Sequence, residues 1–297
     1  MKLNVVVGLP AYNEEKNIAA IILKLKNNVD KIIVCDDGST DLTGKIAKEL
    51  GVIVIEHKKN LGYGASIQSI FLKAREMNSD ILVTFDADGQ HRVEDIKNVI
   101  EPIIKNESDI VIGSRFLKDE DTKEVPSYRK LGIKTITKIT NLSINKKLSD
   151  SQSGFRAYNR KVLNEITPSD EGMGISTEIL IKSSQKEFVI TEVPIKISYG
   201  QDTSTHNPVS HGASVVFSTL RYTSIEHPLK FFGMPGGILT TIGIFFVIWT
   251  IQYFSDHGSF PPVLALIAIG LTIVGIILLM NGILLYSLIS ILRDKIK

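Results

Sequence analysis

From Leu3 to about Gly113, short apolar runs rich in β-branched residues alternate with amphipathic stretches. The runs are Leu3–Leu9, Lys31–Cys35, Val52–Glu56, Ile81–Phe85 and Asp109–Gly113. Between them, Asn17–Asn27, Thr40–Leu50, Ala65–Met77 and Val93–Lys105 carry apolar residues at helical spacing, with Ser39 or Thr40 available as a helix cap. Strand alternating with helix predicts an α/β fold, a doubly wound and mostly parallel sheet with helices on both faces. Ligands of such sheets sit beyond the carboxyl ends of the strands.

The pattern then changes. Leu117–Ser127 packs Lys, Asp, Glu and Thr around Pro126 and reads as a mobile loop. A helix is predicted over Tyr128–Leu142, then a second mixed region to about Tyr199, and a loop over Gly200–Gly212. Residues 1–212 would thus form one catalytic domain. In the stretch 213–230, Val215–Leu229 regains apolar residues with few charges, as a juxtamembrane amphipathic helix would.

Phe231–Phe254 and Pro261–Leu292 carry no charged residue, and each exceeds the ~20 residues that cross a hydrocarbon core of about 30 Å. A transmembrane hairpin over 231–297 is therefore expected. The turn Ser255–Phe260 has no Lys or Arg, whereas Arg221 and Lys230 precede the first helix and Arg293, Lys295 and Lys297 follow the second. The positive-inside rule then places both termini and the catalytic domain on the cytoplasmic side of a cell membrane. Asn281, alone among apolar residues, reads as a helix–helix hydrogen-bonding group, with lipid-substrate binding as the alternative.

Composition adds limits. With 297 residues and 43% apolar content the chain can build more than one unit, and a formal charge of +2 spread along it gives no nucleic-acid footprint. The single cysteine, Cys35, excludes an internal disulfide and reads as a small buried thiol. No cleavable signal is expected at the start, where Lys2 precedes a short strand-like run.

Chemistry-bearing residues collect where the strands end. In Phe85-Asp86-Ala87-Asp88-Gly89-Gln90-His91, two carboxylates one residue apart follow an apolar run and the chain turns at Gly89. Carboxylate oxygens there suit a hard divalent cation that keeps open positions for substrate phosphate oxygens. An Asx-rich surface turn is the competing reading. The first strand ends in Leu9-Pro10-Ala11-Tyr12-Asn13-Glu14-Glu15 and the second in Cys35-Asp36-Asp37-Gly38-Ser39-Thr40-Asp41. Turns and caps account for Asn13 and Ser39, but not for three strands delivering acids to one edge. A carboxylate there can accept hydrogen bonds from a base N–H or from ribose hydroxyls. Neither a Walker lysine loop nor a complete G-x-G-x-x-G is present, which weakens ATPase and nicotinamide-enzyme readings.

Pro10-Ala11-Tyr12-Asn13-Glu14, Asp36-Asp37-Gly38-Ser39-Thr40-Asp41, Asp86-Ala87-Asp88-Gly89-Gln90-His91, Gly113-Ser114-Arg115 and Ser153-Gly154-Phe155-Arg156 follow in the order and approximate spacing of family 2 glycosyltransferases. Over about residues 3–200 the chain resembles that family, and more narrowly the dolichyl- or polyprenyl-phosphate sugar synthases of the dolichol-phosphate mannose synthase type. The C-terminal hairpin is similar to that subgroup's.

The resemblance implies a glycosyltransferase A-type fold that binds a nucleotide-diphosphate sugar, and it favours the metal reading of Asp86 and Asp88. By position, Pro10, Tyr12, Glu14 and Asp37 would bind base and ribose. Asp86, Ala87, Asp88 and Arg115 would complete the donor site, with Asp86, Asp88 and Gln90 holding Mg²⁺ or Mn²⁺ on the diphosphate. Asp86, Asp88 and Arg115 would be the catalytic set. Arg129, in Ser127-Tyr128-Arg129-Lys130, would help receive the acceptor phosphate, or else is a solvated helix residue near the membrane. Asp150 and Glu178 occupy places where the family keeps acids near the sugar; a helix cap and an exposed helical acid are their alternatives.

The implied reaction moves a hexose to a polyprenyl or dolichyl phosphate, which with a second pKa of about 6 is a dianionic nucleophile needing no strong base. In-line attack would invert the anomeric centre. Expected partners are the nucleotide sugar, the lipid phosphate and the bilayer, with homo-oligomers left open. After Tyr199 the chain departs from the mannosyl members: Gly200–Pro208 lacks their arginine-rich loop, which favours UDP-glucose or UDP-N-acetylglucosamine over GDP-mannose. His206 and His211 could touch phosphate or be merely solvated, and they match no zinc motif. A processive polysaccharide synthase lacks support because no Gln-x-x-Arg-Trp is present and the only Trp, Trp249, lies in a membrane segment. A catalytically silent, nucleotide-sugar-binding membrane scaffold is the reading from another class.

Overall fold

The computed structural model of the chain describes residues 3–117, 127–144, 146–197, 224 and 227–296, and their side chains except at 127–129, 131 and 292–296. Two compact units divide it, Met1–Thr219 and Leu220–Lys297.

The first unit is built on a seven-stranded sheet: β1 Val5–Ala11, β2 Lys31–Asp36, β3 Ile53–Glu56, β4 Ile81–Thr84, β5 Ile110–Ser114, β6 Arg156–Asn159 and β7 Ile190–Pro194, in the order β3-β2-β1-β4-β6-β5-β7. All neighbours are parallel except β6, which runs antiparallel to β4 and β5. Central strands are continuous apolar runs because both of their faces are covered. Val7, Leu9, Val34, Val83 and Phe85 join Ile18, Ile22 and Leu25 of α1 (Ile18–Leu25) and Val99 of α4 (Ile96–Ile104) in one core.

The other helices are α2 Thr43–Glu49, α3 Tyr63–Glu76, α5 Ser127–Ile144, α6 Arg160–Glu165 and α7 Ile175–Gln185. The alternation predicted to Gly113 is present, with shifted edges. β1 runs two residues past Leu9, because Pro10 and Ala11 stay in register with Cys35 and Asp36. Neither Ser39 nor Thr40 caps α2, which starts at Thr43. Both are drawn to Asn13, whose left-handed backbone (φ 55°) turns it toward them. Its N–H donates to Ser39 Oγ at 2.9 Å, and its Oδ1 accepts from the Thr40 N–H at 2.9 Å.

In the second unit a π-helical turn, Leu229–Gly233, leads into α8, Met234–His257, which pairs with α9, Pro262–Ile296. Small residues let the pair approach closely. A Cβ on Gly236 would fall 2.6 Å from the Leu279 nitrogen, and one on Gly243 would fall 2.7 Å from the Thr272 nitrogen. The hydroxyls of Thr240, Thr250 and Thr272 donate to carbonyls four residues back at 2.7–2.8 Å, so they are satisfied without water. Phe245, Trp249, Ile273 and Leu284 stay exposed. Leu229–His257 and Pro262–Ile291 are long and apolar enough to cross a membrane and leave most of that surface uncovered, which suggests membrane association.

Two expectations are corrected in this unit. α8 continues through His257, so the connection is Gly258–Pro261 rather than Ser255–Phe260. Asn281 is exposed, and no hydrogen bond joins it to α8 among the described residues, because the buried Gly282 beside it takes the inward position. The loop core 118–126, His206, His211 and most of the expected amphipathic helix Val215–Leu229 lie outside the described residues.

Candidate active site

The chain leaves β1 toward β2 and β3 on one side, while β4, β6, β5 and β7 extend the sheet on the other. The reversal between β1 and β4 is a topological switch point, where open α/β sheets form a crevice. β1 releases Tyr12 and Glu14 at that edge, β4 releases Asp86 and Asp88, and β2 ends in Asp36 followed by Asp37. Pro10 lies within β1 opposite Cys35, and Ala87 is buried. Because β6 is antiparallel, its amino end comes to the same edge: Thr84 pairs with Arg156, and Thr84 Oγ1 donates to the Gly154 carbonyl at 2.7 Å. β5 adds Arg115 just past Ser114.

Asp86 is held from several directions. Oδ2 accepts from His91 Nε2 at 3.1 Å, and Oδ1 accepts from the Tyr63 hydroxyl at 3.5 Å. Burial pushes its carboxyl up, but the His91 contact, the charge of Arg115 and the Tyr63 hydroxyl outweigh that and hold it below the usual range. Asp88 goes the other way. Its Oδ1 accepts from the Gln90 N–H at 3.0 Å, yet burial first, then the charge of Asp86 and to a smaller extent Glu14, raise it to about 6.

Two carboxylates that repel each other at a partly desolvated edge fit a divalent cation. Among the described residues no cluster of three or more His, Cys, Asp or Glu is arranged to hold a metal. The two carboxylates of Asp86 and Asp88, with Gln90 on the same turn, are the oxygen donors this edge offers, too few to enclose an ion and of the kind that suits a hard cation with positions left for water and phosphate.

Arg115 is held by Asp150: Nε donates to Oδ2 at 2.6 Å and Nη2 to Oδ1 at 2.8 Å, while the Arg115 N–H adds a bond to Oδ2 at 3.2 Å. Here the structure departs from the helix-cap reading of Asp150: it caps no helix, and it is fully buried with both oxygens turned to Arg115. Burial raises its carboxyl, but the Arg115 charge and hydrogen bonds, with the Gln152 N–H, bring it below the usual range. Glu192 on β7 supports the same turn by accepting from the N–H groups of Ser149 and Asp150.

Glu178 differs from the exposed-acid reading: it is buried in α7, and its carboxylate accepts from the Ser169 and Asp170 N–H groups, the Ser169 hydroxyl and Lys182. Asp37 is similarly engaged. Oδ1 takes the Leu61 N–H at 2.9 Å and meets His57 Nδ1 at 2.6 Å, while Oδ2 takes the Gly62 N–H at 2.8 Å. Of about four acceptor positions on a carboxylate, three are used to hold the loop 57–62. Arg129 lies in the first turn of α5, its side chain outside the described residues.

Sequence reasoning did not single out Tyr63, His91 or Arg156. Arg156 is fully buried and donates to the carbonyls of Ser153, Ser176 and Ser151 at 2.7–2.8 Å, tying the turn after Asp150 to α7. Both His91 and Arg156 sit inside quoted motifs, which was the available signal. Tyr63 has none, because it meets Asp86 only through the packing of α3.

UDP-N-acetylglucosamine–dolichyl-phosphate N-acetylglucosaminyltransferase of Methanococcus voltae is 39% identical over 211 residues, 64% of this chain and 84% of that protein. Glycosyltransferase AglJ of Haloferax volcanii is 25% identical over 291 residues, 97% of this chain and 94% of the relative. Dolichol-phosphate mannosyltransferase of Pyrococcus furiosus is 35% identical over 204 residues, 65% of this chain and 56% of that protein. Glucosyl-3-phosphoglycerate synthase from Mycobacterium tuberculosis, solved with Mn²⁺ and UDP-glucose, superposes with a TM-score of 0.60 at 20% identity over 75% of this chain and 79% of that one. That likeness shows the fold, a mostly parallel glycosyltransferase A-type sheet. Residues 6–167, more than half of the chain, match Glycosyl transferase family 2; the chain belongs to that family and is a glycosyltransferase.

Proposed function

We propose that this enzyme transfers a hexose or N-acetylhexosamine from a nucleotide-diphosphate sugar to the phosphate of a polyprenyl or dolichyl carrier at a cell membrane. The observation that carries this reading is the meeting of Asp86, Asp88 and the Asp150-backed Arg115 at one switch-point edge. The acceptor class is supported by relatives named for dolichyl-phosphate transfer and by the two apolar helices of the second unit. A UDP sugar is favoured, in line with the UDP-N-acetylglucosamine for which the Methanococcus voltae relative is named.

Breaking the bond between sugar and diphosphate builds negative charge on the departing nucleoside diphosphate. A bound Mg²⁺ or Mn²⁺ would supply Lewis-acid stabilisation of that charge, held by Asp86, Asp88 and Gln90. Arg115 adds a fixed cation whose orientation Asp150 sets, so little reorganisation is needed as charge develops. Tyr12, Glu14 and the remaining acceptor position of Asp37 would face base and ribose. Arg129 would receive the lipid phosphate, already dianionic at neutral pH, and attack at the anomeric carbon would invert it. The catalytic unit and both termini would face the cytoplasm.

Membranes containing the enzyme, incubated with UDP- and GDP-sugars and polyprenyl phosphate, should yield a single lipid-phosphate sugar identified by mass. A polymer would instead support a processive synthase, and donor binding without turnover would support a scaffold.

A further inference from the structure

We propose that His91 is a positioning residue for Asp86: wedged between Phe85 and Phe155, its imidazole fixes one carboxylate oxygen and thereby sets how Asp86 presents its remaining lone pairs to a divalent cation. The inference rests on the reading of Asp86 and Asp88 as cation ligands.

The imidazole has little freedom. Its side chain is 5% exposed. Its ring centroid lies 5.6 Å from that of Phe85 and 5.2 Å from that of Phe155, and the two phenyl rings are themselves 5.1 Å apart. Its backbone forms an antiparallel bridge with Ile197. Main chain and ring are both pinned, so the position of Nε2 is set by the core and not by solvent.

Among the described residues that nitrogen has one polar partner, Asp86 Oδ2 at 3.1 Å. Because a carboxylate oxygen accepts, Nε2 carries the hydrogen. The other ring nitrogen, Nδ1, is buried with no hydrogen-bond partner among the described residues. A side chain serving only to fill this aromatic pocket would be better as phenyl, which buries no unpaired nitrogen. What the imidazole offers over phenyl is the bond to Asp86. Gly154 adds to the cradle: a Cβ there would fall 2.8 Å from each Asp86 oxygen and from the Tyr63 hydroxyl. Asp86 is thus confined by His91, Tyr63 and Gly154, in the way that outer residues orient ligands in metal sites.

The test is Mn²⁺ binding by the full-length protein in detergent, read by electron paramagnetic resonance of free Mn²⁺ with UDP, and separately GDP, present. His91→Phe keeps the ring packing and removes the donor; its apparent Kd for Mn²⁺ should rise roughly tenfold to a hundredfold. His91→Gln, whose Nε2 can occupy the place of the imidazole Nε2, should recover most of that loss. Mn²⁺ affinity of folded His91→Phe within about twofold of the parent overturns the inference, as does a His91→Gln that binds no better. Where His91→Phe does not fold, His91→Asn decides, since its shorter amide cannot reach Asp86: the same weakening supports the inference and parental affinity overturns it. A parent that binds no Mn²⁺ with either nucleotide overturns the metal reading and this inference together, whereas parental binding with an indifferent His91→Phe overturns this inference alone.

Discussion

Arg115 lies side-on against Asp150, joined by two parallel hydrogen bonds of 2.6 and 2.8 Å across 35 residues of chain. The acid is fully buried and the Arg115 side chain is 16% exposed, so the pair is an anchored cation at the rim of the candidate site. Bidentate pairing fixes the plane of the fork as well as its position.

Asp150→Asn keeps the shape and removes the charge. Breaking a buried pair should cost on the order of 3 kcal/mol, read by thermal unfolding in detergent, and transfer should fall at least tenfold as Arg115 loses its orientation (about 1.4 kcal/mol per tenfold). The folded-state carboxyl of Asp150 is held low, so its contribution is present above the unfolded value of about 3.9 and lost as pH falls through the folded value. The stability gap between parent and variant should therefore close below about pH 4.

Asp88→Ala should abolish transfer while the protein stays folded, and EDTA should do the same reversibly. In the folded state Asp88 is raised to about 6, so its ionised form disfavours folding above that pH and its neutral form below about pH 4 does not. Without metal, the variant should melt no lower than the parent at pH 8. Normal turnover by the parent in metal-free buffer would remove the cation assignment.

Arg156→Lys should be damaging although charge is conserved. One ammonium cannot meet three carbonyls set around a planar fork, so at least one buried acceptor is left unmatched, at a cost of about 1–3 kcal/mol. Thermal unfolding measures that loss, and proteolysis near Ser151 should quicken.

Burial pushes the Cys35 thiol up to about 12, so at pH 7.5 its thiolate is on the order of one part in 10⁴–10⁵. The native protein should resist maleimide. A cysteine placed at Ser259 can then be labelled without background, and labelling only from outside the cytoplasm is the expected result. Labelling from the cytoplasmic side would reverse the proposed topology.

Arg129→Ala should lower transfer at limiting lipid phosphate roughly tenfold to a hundredfold and leave nucleotide affinity by calorimetry almost unchanged. Arg129→Lys should recover part of the loss, because a point charge does not reproduce the fork. Equal loss of nucleotide affinity would move Arg129 to the donor side.

The alternation of Val5–Ala11, Ile18–Leu25, Lys31–Asp36 and their successors was legible in the sequence because burial on one or both faces imposes a period that each segment carries by itself. Acids at strand ends, as at Asp37 and Asp86, and charge-free lengths, as in α8 and α9, are likewise local properties. Partner choice is not. That Asp150 would turn to Arg115, that Tyr63 and Gly154 would meet Asp86 from 23 and 68 positions away, and that Glu178 would be buried follow from the strand order and the antiparallel course of β6. Asn281 makes the same point within one helix. Its polarity is written in the chain, but whether it or Gly282 faces the π-helical turn that leads into α8 is a rotational phase settled by close packing against Gly233. Sequence determined which chemistry this chain carries; tertiary structure decided which groups are spent holding one another, because hydrogen bonds between distant residues exist only once the sheet has brought them within reach.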